Sequence, residues 1–232
     1  MSRIVGIIPA RGGSKRLPRK NLRPLAGMPL IGHTIQAALE CPGLTDCIVS
    51  TEDAEIKRVA LAYGARVIDR PAHLATDEAQ THGVVAHVLE ELRAEGGLPD
   101  YLVLLQPTSP LRRAGHIEAC LEAFFASTAA CAISVTREEH HPCKDFIVRD
   151  GLLEQFFTGQ NPELVRQKLP EVYRQNGAIY LLSAELFLAK MVFYIPPALA
   201  FIMDPEGSID VDTEVDFLLA ELLMARRSQG EA

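Results

Sequence analysis

Residues 3–21, RIVGIIPARGGSKRLPRKN, decide how the rest of the chain is read. Their opening, RIVGIIPA, is a nearly unbroken β-branched and apolar run, the pattern of a strand buried on both faces. Two adjacent glycines, Gly12 and Gly13, then break it, and five cations, Arg11, Lys15, Arg16, Arg19 and Lys20, crowd the turn. A strand running into a glycine turn whose amides can face a ligand, ringed by positive charge, is how a polyphosphate is held. The plainer reading is a solvated basic loop, but the position directly after the first strand favours a ligand. Two familiar phosphate loops are absent. In P-loop register Pro9 takes the first glycine position and Arg16 follows the lysine, and no G-x-G-x-x-G occurs, so neither an ordinary ATPase nor a dehydrogenase is supported.

Outward from that loop, strand and helix signals alternate. Apolar residues at helical spacing over 29–40 stop before Pro42 and Gly43. Strands are predicted over 45–51, 65–70, 100–106 and 130–136, with helices over 54–64, 78–96 and 113–127 between them. This rhythm predicts an α/β fold with a mostly parallel sheet covered on both faces, right-handed crossovers, and ligands at the carboxyl ends of the strands. From about residue 137 the pattern weakens. Phe146, Ile147, Leu152, Leu153, Phe156 and Phe157 are too few for a core of their own. Residues 137–175 therefore read as a small inserted subdomain that covers a partner subunit, and 1–136 with 176–232 as the α/β domain. Strands are expected again over 178–183, 193–197 and 199–204, then a helix over 214–229 and fraying over 228–232.

Composition narrows the partners. With 48% hydrophobic residues in 232, the chain can bury a sizeable core. The net charge of −7, from 30 acidic against 23 basic side chains, argues against a nucleic-acid partner and makes the basic loop a local feature suited to a small anion. No apolar run is long enough to span a bilayer and no small-residue cleavage site follows the first strand, so no membrane partner is expected and the cytoplasm is the default. Five cysteines, odd in number and without C-x-x-C spacing, read as reduced and mostly buried. His140 and His141 lack a third ligand at a helpful spacing, which speaks against zinc.

A second constellation stands far from the first, in GSIDVDTEVDF, 207–217. Asp210 and Asp212 are one residue apart, so in an extended segment both carboxylates point the same way and can share a cation. Mg²⁺ suits such a pair, because it takes one or two carboxylates, water and substrate phosphates. The alternative is that Asp212 merely caps the last helix. No side chain stands out as a nucleophile.

Seven fragments, in order, carry a resemblance: IPARGGSKRLPRKN, STEDAEI, DRPAHLATD, LLQPTSPLR, EHHPCK, RQKLPEVYRQNGAIY and SIDVDTEVDF. In these the chain resembles the acylneuraminate cytidylyltransferases. The resemblance implies a Rossmann-like nucleotidyltransferase fold and a homodimer in which the insert reaches toward the neighbour's sugar site. It also implies CTP as co-substrate with Mg²⁺, the anomeric C2 hydroxyl of an acidic nine-carbon sugar attacking the α-phosphate to give the CMP-sugar and pyrophosphate. It puts the triphosphate on Arg11, Gly12, Gly13, Ser14 and Lys20, with Lys20, Arg11 and Asp212 in the chemistry, and the base and ribose near Asn21, Arg70 and Thr81. It places the sugar among Gln106, Thr108, Ser109, Tyr180 and Phe193, with Lys144 and Arg166 as cations around the sugar carboxylate, and metal on Asp210 and Asp212. EHHPCK inclines the reading toward sialic acid, against pseudaminic, legionaminic or 3-deoxy-manno-octulosonic acid. A noncatalytic nucleotide-sugar binding protein and an interaction protein with a phosphate-binding loop are the readings of another class.

Overall fold

The first strand, β1 (Ile4–Pro9), lies in the middle of the molecule because both of its faces are apolar. A computed structural model describes residues 2–159 and 161–228. After β1 come a two-residue pair, β2 (Pro24–Leu25) and β3 (Met28–Pro29), then α1 (Leu30–Leu39), β4 (Asp46–Thr51), α2 (Ala54–Ala62) and β5 (Arg66–Asp69). Next are α3 (Thr81–Glu95), β6 (Tyr101–Leu104), α4 (Ala114–Phe125) and β7 (Cys131–Arg137). A hairpin, β8 (Phe146–Arg149) and β9 (Leu152–Gln155), precedes β10 (Tyr173–Ser183), α5 (Ala184–Lys190), β11 (Ala198–Ile202) and α6 (Glu214–Ser228).

Seven strands form one sheet in the order β11-β7-β10-β6-β1-β4-β5. All pairings are parallel except those of β10, which runs antiparallel to both β6 and β7. Alternation along β1 feeds two cores. Val5 and Ile7 pack with Val85, Val88 and Leu89 of α3 and Phe187 of α5, and Ile4 and Ile8 with the apolar stripes of α1, α2 and α4. The expected α/β architecture and mostly parallel sheet are what the structure shows. All five cysteines are buried and free, and burial pushes the thiols of Cys47 and Cys120 up to about 12. No described helix is long and apolar enough to cross a membrane.

Four local expectations are corrected. Residues 193–197 form no strand, because Pro196 and Pro197 offer no amide to a ladder. Residues 78–80 stay outside α3, which starts at Thr81 after Gln80 as N-cap. Helix α5 was not expected; Ser183 caps it by accepting from the Leu186 amide at 3.4 Å. Strand β10 begins at Tyr173 instead of at residue 178, bulging between Gln175 and Tyr180. Of the fraying expected over 228–232, Ser228 ends α6, and the rest, with the expected helix end at 229, lies outside the described residues.

The chain leaves β1 toward β4 and β5 on one side and later returns to lay β6 on the other. The carboxyl ends of β1 and β6 thus flank a topological switch point, where the loops diverge and leave a crevice.

Candidate active site

The basic loop begins as β1 ends. Gly12 is dictated by packing, since a Cβ there would stand 2.4 Å from Asp53 Oδ2. Asp53 cannot move away because it caps α2, accepting from the amides of Glu55 and Ile56 at 2.9 Å. The Gly12 amide donates to Glu52 Oε1 at 2.8 Å, while Gly13 is exposed with open space where a Cβ would be. Asn21 is buried and donates Nδ2 to the Arg11 carbonyl at 3.0 Å, tying the two ends of the loop together. Lys20 is the inward-facing cation: its side chain is 12% exposed, and Nζ donates to the Val211 carbonyl at 2.8 Å and to Asp212 Oδ1 at 2.7 Å.

The acidic half is freed by a neighbouring cap. Asp216 Oδ2 accepts from the Thr213 amide at 2.7 Å, and Thr213 Oγ1 accepts in return from the Asp216 amide at 3.3 Å, a reciprocal box that starts α6. Asp212 is therefore not the helix cap, and its carboxylate is left for Lys20. Burial pushes the Asp210 carboxyl above the usual carboxylate range, opposed by the Thr108 hydroxyl and by Lys20. Asp210 Oδ1 is buried without a hydrogen-bond partner among the described residues. These two residues fit Mg²⁺: one orphaned buried acceptor and one half-exposed carboxylate lie a single residue apart. No cluster of three His, Cys, Asp or Glu ligands occurs among the described residues, so water and phosphate oxygens would complete the shell.

Three pockets adjoin along the carboxyl edge of the sheet. The first, about 400 Å³, is walled by Ser14, Lys15, Arg16, Lys20, Asn21 and Asp212. It shares Pro9, Arg11, Pro107 and Thr108 with a second of about 300 Å³ that holds Arg70, Asp77 and Thr81. This in turn shares Ala79, Thr81 and Gln106 with a third of about 520 Å³ lined by Tyr180 and Phe193. The shared walls make one trough that starts at the switch point. In it Arg70 is nearly buried, Nη2 donating to the Ser50 carbonyl at 2.6 Å; burial lowers its pKa, Arg11 adds to that, and Glu52 opposes it.

The third pocket has an aromatic wall. Phe193 stacks on His82 at 4.7 Å and on Phe187 at 5.0 Å between centroids, with Tyr180 at 5.5 Å. Burial pushes the Tyr180 phenol up, and Asp210 adds to the shift. Gly177 has φ +74°, and a Cβ there would come within 2.8 Å of Gln106 Oε1, so this glycine is what lets the Gln106 amide lie across the bulge. Beneath the trough, Arg112 Nη1 donates to the carbonyls of Ala178 at 2.9 Å and Gln106 at 3.2 Å. Burial brings its pKa down to about 9.

The structure thus brings together Arg11, Ser14, Lys20, Asn21, Arg70, Thr81, Gln106, Thr108, Tyr180, Phe193 and Asp212 as walls of one trough. Gly12 and Gly13 shape its loop, Asp210 lies behind, and Ser109 is fully buried, its hydroxyl without a partner among the described residues. Lys144 and Arg166 are exposed and line none of the three pockets. Sequence reasoning missed the facing groups Glu52, Asp53, Asp77 and His82. Only the concentration of five cations in an acidic chain signals that such counter-ions exist.

Residues 5–195 match the family model described as Cytidylyltransferase. The chain is 37% identical over 227 residues to the CMP-N,N'-diacetyllegionaminic acid synthase of Legionella pneumophila, covering 96% of both. It is 35% identical over 214 residues to an N-acylneuraminate cytidylyltransferase of Streptococcus agalactiae, covering 91% of this chain and 51% of that one. The chain spans about half the length of that relative. Among solved structures, CMP:2-keto-3-deoxy-manno-octonic acid synthetase complexed with CTP has the same fold, with a TM-score of 0.71 at 20% identity, covering 97% of this chain and 100% of that one. A glycine-cation loop at the switch point, a family match over most of the sheet and relatives above 30% identity lead to one assignment: the chain belongs to the cytidylyltransferase family.

Proposed function

We propose that the protein activates a nonulosonic acid with CTP. The sugar's C2 hydroxyl oxygen bonds to the α-phosphorus, the bond from that phosphorus to the β-phosphate bridging oxygen breaks, and the CMP-sugar, pyrophosphate and the hydroxyl proton are released. The observation that supports this most is the continuous trough, which sets a cationic loop, the Asp212 carboxylate and an aromatic pocket side by side.

The pocket of Ser14 and Lys20 takes the triphosphate, and that of Arg70 and Thr81 the base and ribose, with the Asn21 amide fixing the loop between them. Lys20 is held by two acceptors before substrate arrives, so its charge is already placed where pyrophosphate leaves. Arg11 walls both pockets, which suits a guanidinium that follows the phosphate chain. Gln106 and Thr108, supported by buried Ser109, present the sugar, and Tyr180 and Phe193 take its acyl group. Asp210 and Asp212 would hold Mg²⁺, which when bound neutralises phosphate charge.

N-acylneuraminate is the proposed acceptor. The length match with the Legionella enzyme favours a legionaminic acid as the second reading. The test is pyrophosphate release from CTP and Mg²⁺ with a panel of nonulosonic acids and a sugar-free control. Release that depends on N-acetylneuraminic acid is expected. Release with another nonulosonic acid moves the acceptor, and no release with any of them leaves a binding protein. The cytoplasm, where CTP is available, is the proposed compartment.

The 137–175 segment is proposed as a dimerisation arm. Its hairpin turns on Asp150 and Gly151, both at positive φ, and leaves Val148, Leu152 and Leu153 at least two-thirds exposed (67%, 73% and 67%). Monomers rarely leave so much contiguous apolar surface bare. A second copy covering it would let Lys144 and Arg166 approach the neighbouring sugar pocket. Light scattering is expected to give the mass of two chains, and of one chain for Leu152→Glu with Leu153→Glu. A monomeric parent at micromolar concentration would refute the arm.

A further inference from the structure

Arg11 and Lys15 both reach one carboxylate. Arg11 Nη2 lies 3.0 Å from Asp77 Oδ1 and Lys15 Nζ 2.5 Å from Asp77 Oδ2, so each oxygen holds one cation. Arg11 Nη1 also donates to the Thr76 carbonyl at 2.9 Å. Asp77 belongs to no helix or strand; it lies in the segment between the turn Ala72–Leu74 and α3. The hydrogen bond from Lys15, then the charges of Lys15 and Arg11, hold its carboxyl below the usual range, so it is ionised throughout neutral pH. Asp77 lines the pocket of Arg70, Lys15 lines that of Lys20, and Arg11 lines both. The bridge therefore crosses the seam that a nucleoside triphosphate has to span.

Of the other loop cations, Lys20 faces Asp212, and Arg19 faces Glu55 with Asp53 at 3.9 Å. Among the ion pairs of the described residues, Asp77 is the carboxylate that takes two cations of this loop. Both pairs are solvent-exposed, and such pairs are weak. A ligand with several phosphate charges can outcompete them, whereas without one they keep two long side chains from scattering.

We infer that Asp77 is a displaceable counter-ion of the nucleotide site, which positions Arg11 and Lys15 while the site is empty and must surrender both to phosphate oxygens when a polyphosphate enters. Asp77 thereby sets the nucleotide affinity below what the cations alone would give. This rests on reading the pocket of Lys15 and Lys20 as the triphosphate site.

The test compares the full chain with Asp77→Asn by calorimetric titration with CTP and with inorganic tripolyphosphate, at low and high salt. Asp77→Asn is expected to bind both ligands roughly three- to fivefold tighter, the gain that follows from removing two exposed competing pairs. Its affinity should also fall more steeply with salt, because the site carries one more net positive charge. Unliganded melting should be unchanged, which excludes a folding effect. Unaltered affinity would make Asp77 an ordinary surface partner, and weaker binding would mean that it supports the cations in the complex; either overturns the inference. Parent protein that binds tripolyphosphate but not CTP would refute the nucleotide reading while leaving Asp77 under test. Parent protein that binds neither refutes both.

Discussion

Lys20→Ala is expected to lower kcat/KM for CTP by about 10²- to 10³-fold, the order of loss seen when one fixed charge-stabilising group is removed from a transition state. Its ammonium is tethered by the Val211 carbonyl and Asp212, so little side-chain freedom is lost when phosphate arrives. Removing it also leaves Asp212 facing the incoming phosphates without its cation, adding repulsion to the lost attraction. The fold should survive, because the vacated Val211 carbonyl costs only about 1 kcal/mol. Steady-state pyrophosphate release beside a melting curve makes the comparison. A loss under tenfold in a folded variant would remove Lys20 from the chemistry.

Asp212→Ala is expected to slow turnover by about two orders of magnitude or more at saturating substrates, and Asp212→Asn to do nearly the same. The pair of variants separates two roles. An asparagine can still accept from Lys20 but brings no charge to a cation, so similar losses assign the effect to the carboxylate's charge rather than to positioning of Lys20. Because the box between Thr213 and Asp216 starts α6 without the Asp212 side chain, neither variant should unfold the helix. Near-normal activity of either variant at saturating Mg²⁺ would dismiss the Asp210–Asp212 pair as a metal site.

The sheet was legible because its strands are buried on both faces and therefore written as continuous apolar runs, β1 above all. Where the pattern misled, a local feature outweighed it. Phe193 and Tyr194 have strand-like character, yet Pro196 and Pro197 cannot pair, and Phe193 serves the pocket wall instead. Helix α5 spans seven residues, under two turns, too short for a period to show. The hairpin of the insert was signalled by Asp150–Gly151, a turn dipeptide that went unread among charged neighbours.

In the candidate site the cations and the D-x-D were readable because each is a local cluster. Their partners were not. Glu52, Asp53 and Asp77 follow β4 and β5 in loops that only the strand order carries to the basic turn. Asp212 was readable as a metal ligand or a helix cap, and the structure removes the second reading, because Asp216, four residues further on, takes the capping role.

The contact between Lys20 and Asp212 joins positions 192 residues apart. During synthesis the cationic loop, the sheet through β11 and the aromatic pocket all emerge from the ribosome before the carboxylates that oppose Lys20. A nascent chain can therefore assemble most of its scaffold, strand by strand, while its reactive centre is still chemically incomplete. A chain stalled or clipped before residue 210 would lack both the carboxylate that holds Lys20 and the apolar face of α6 against which Leu17 of the cationic loop packs.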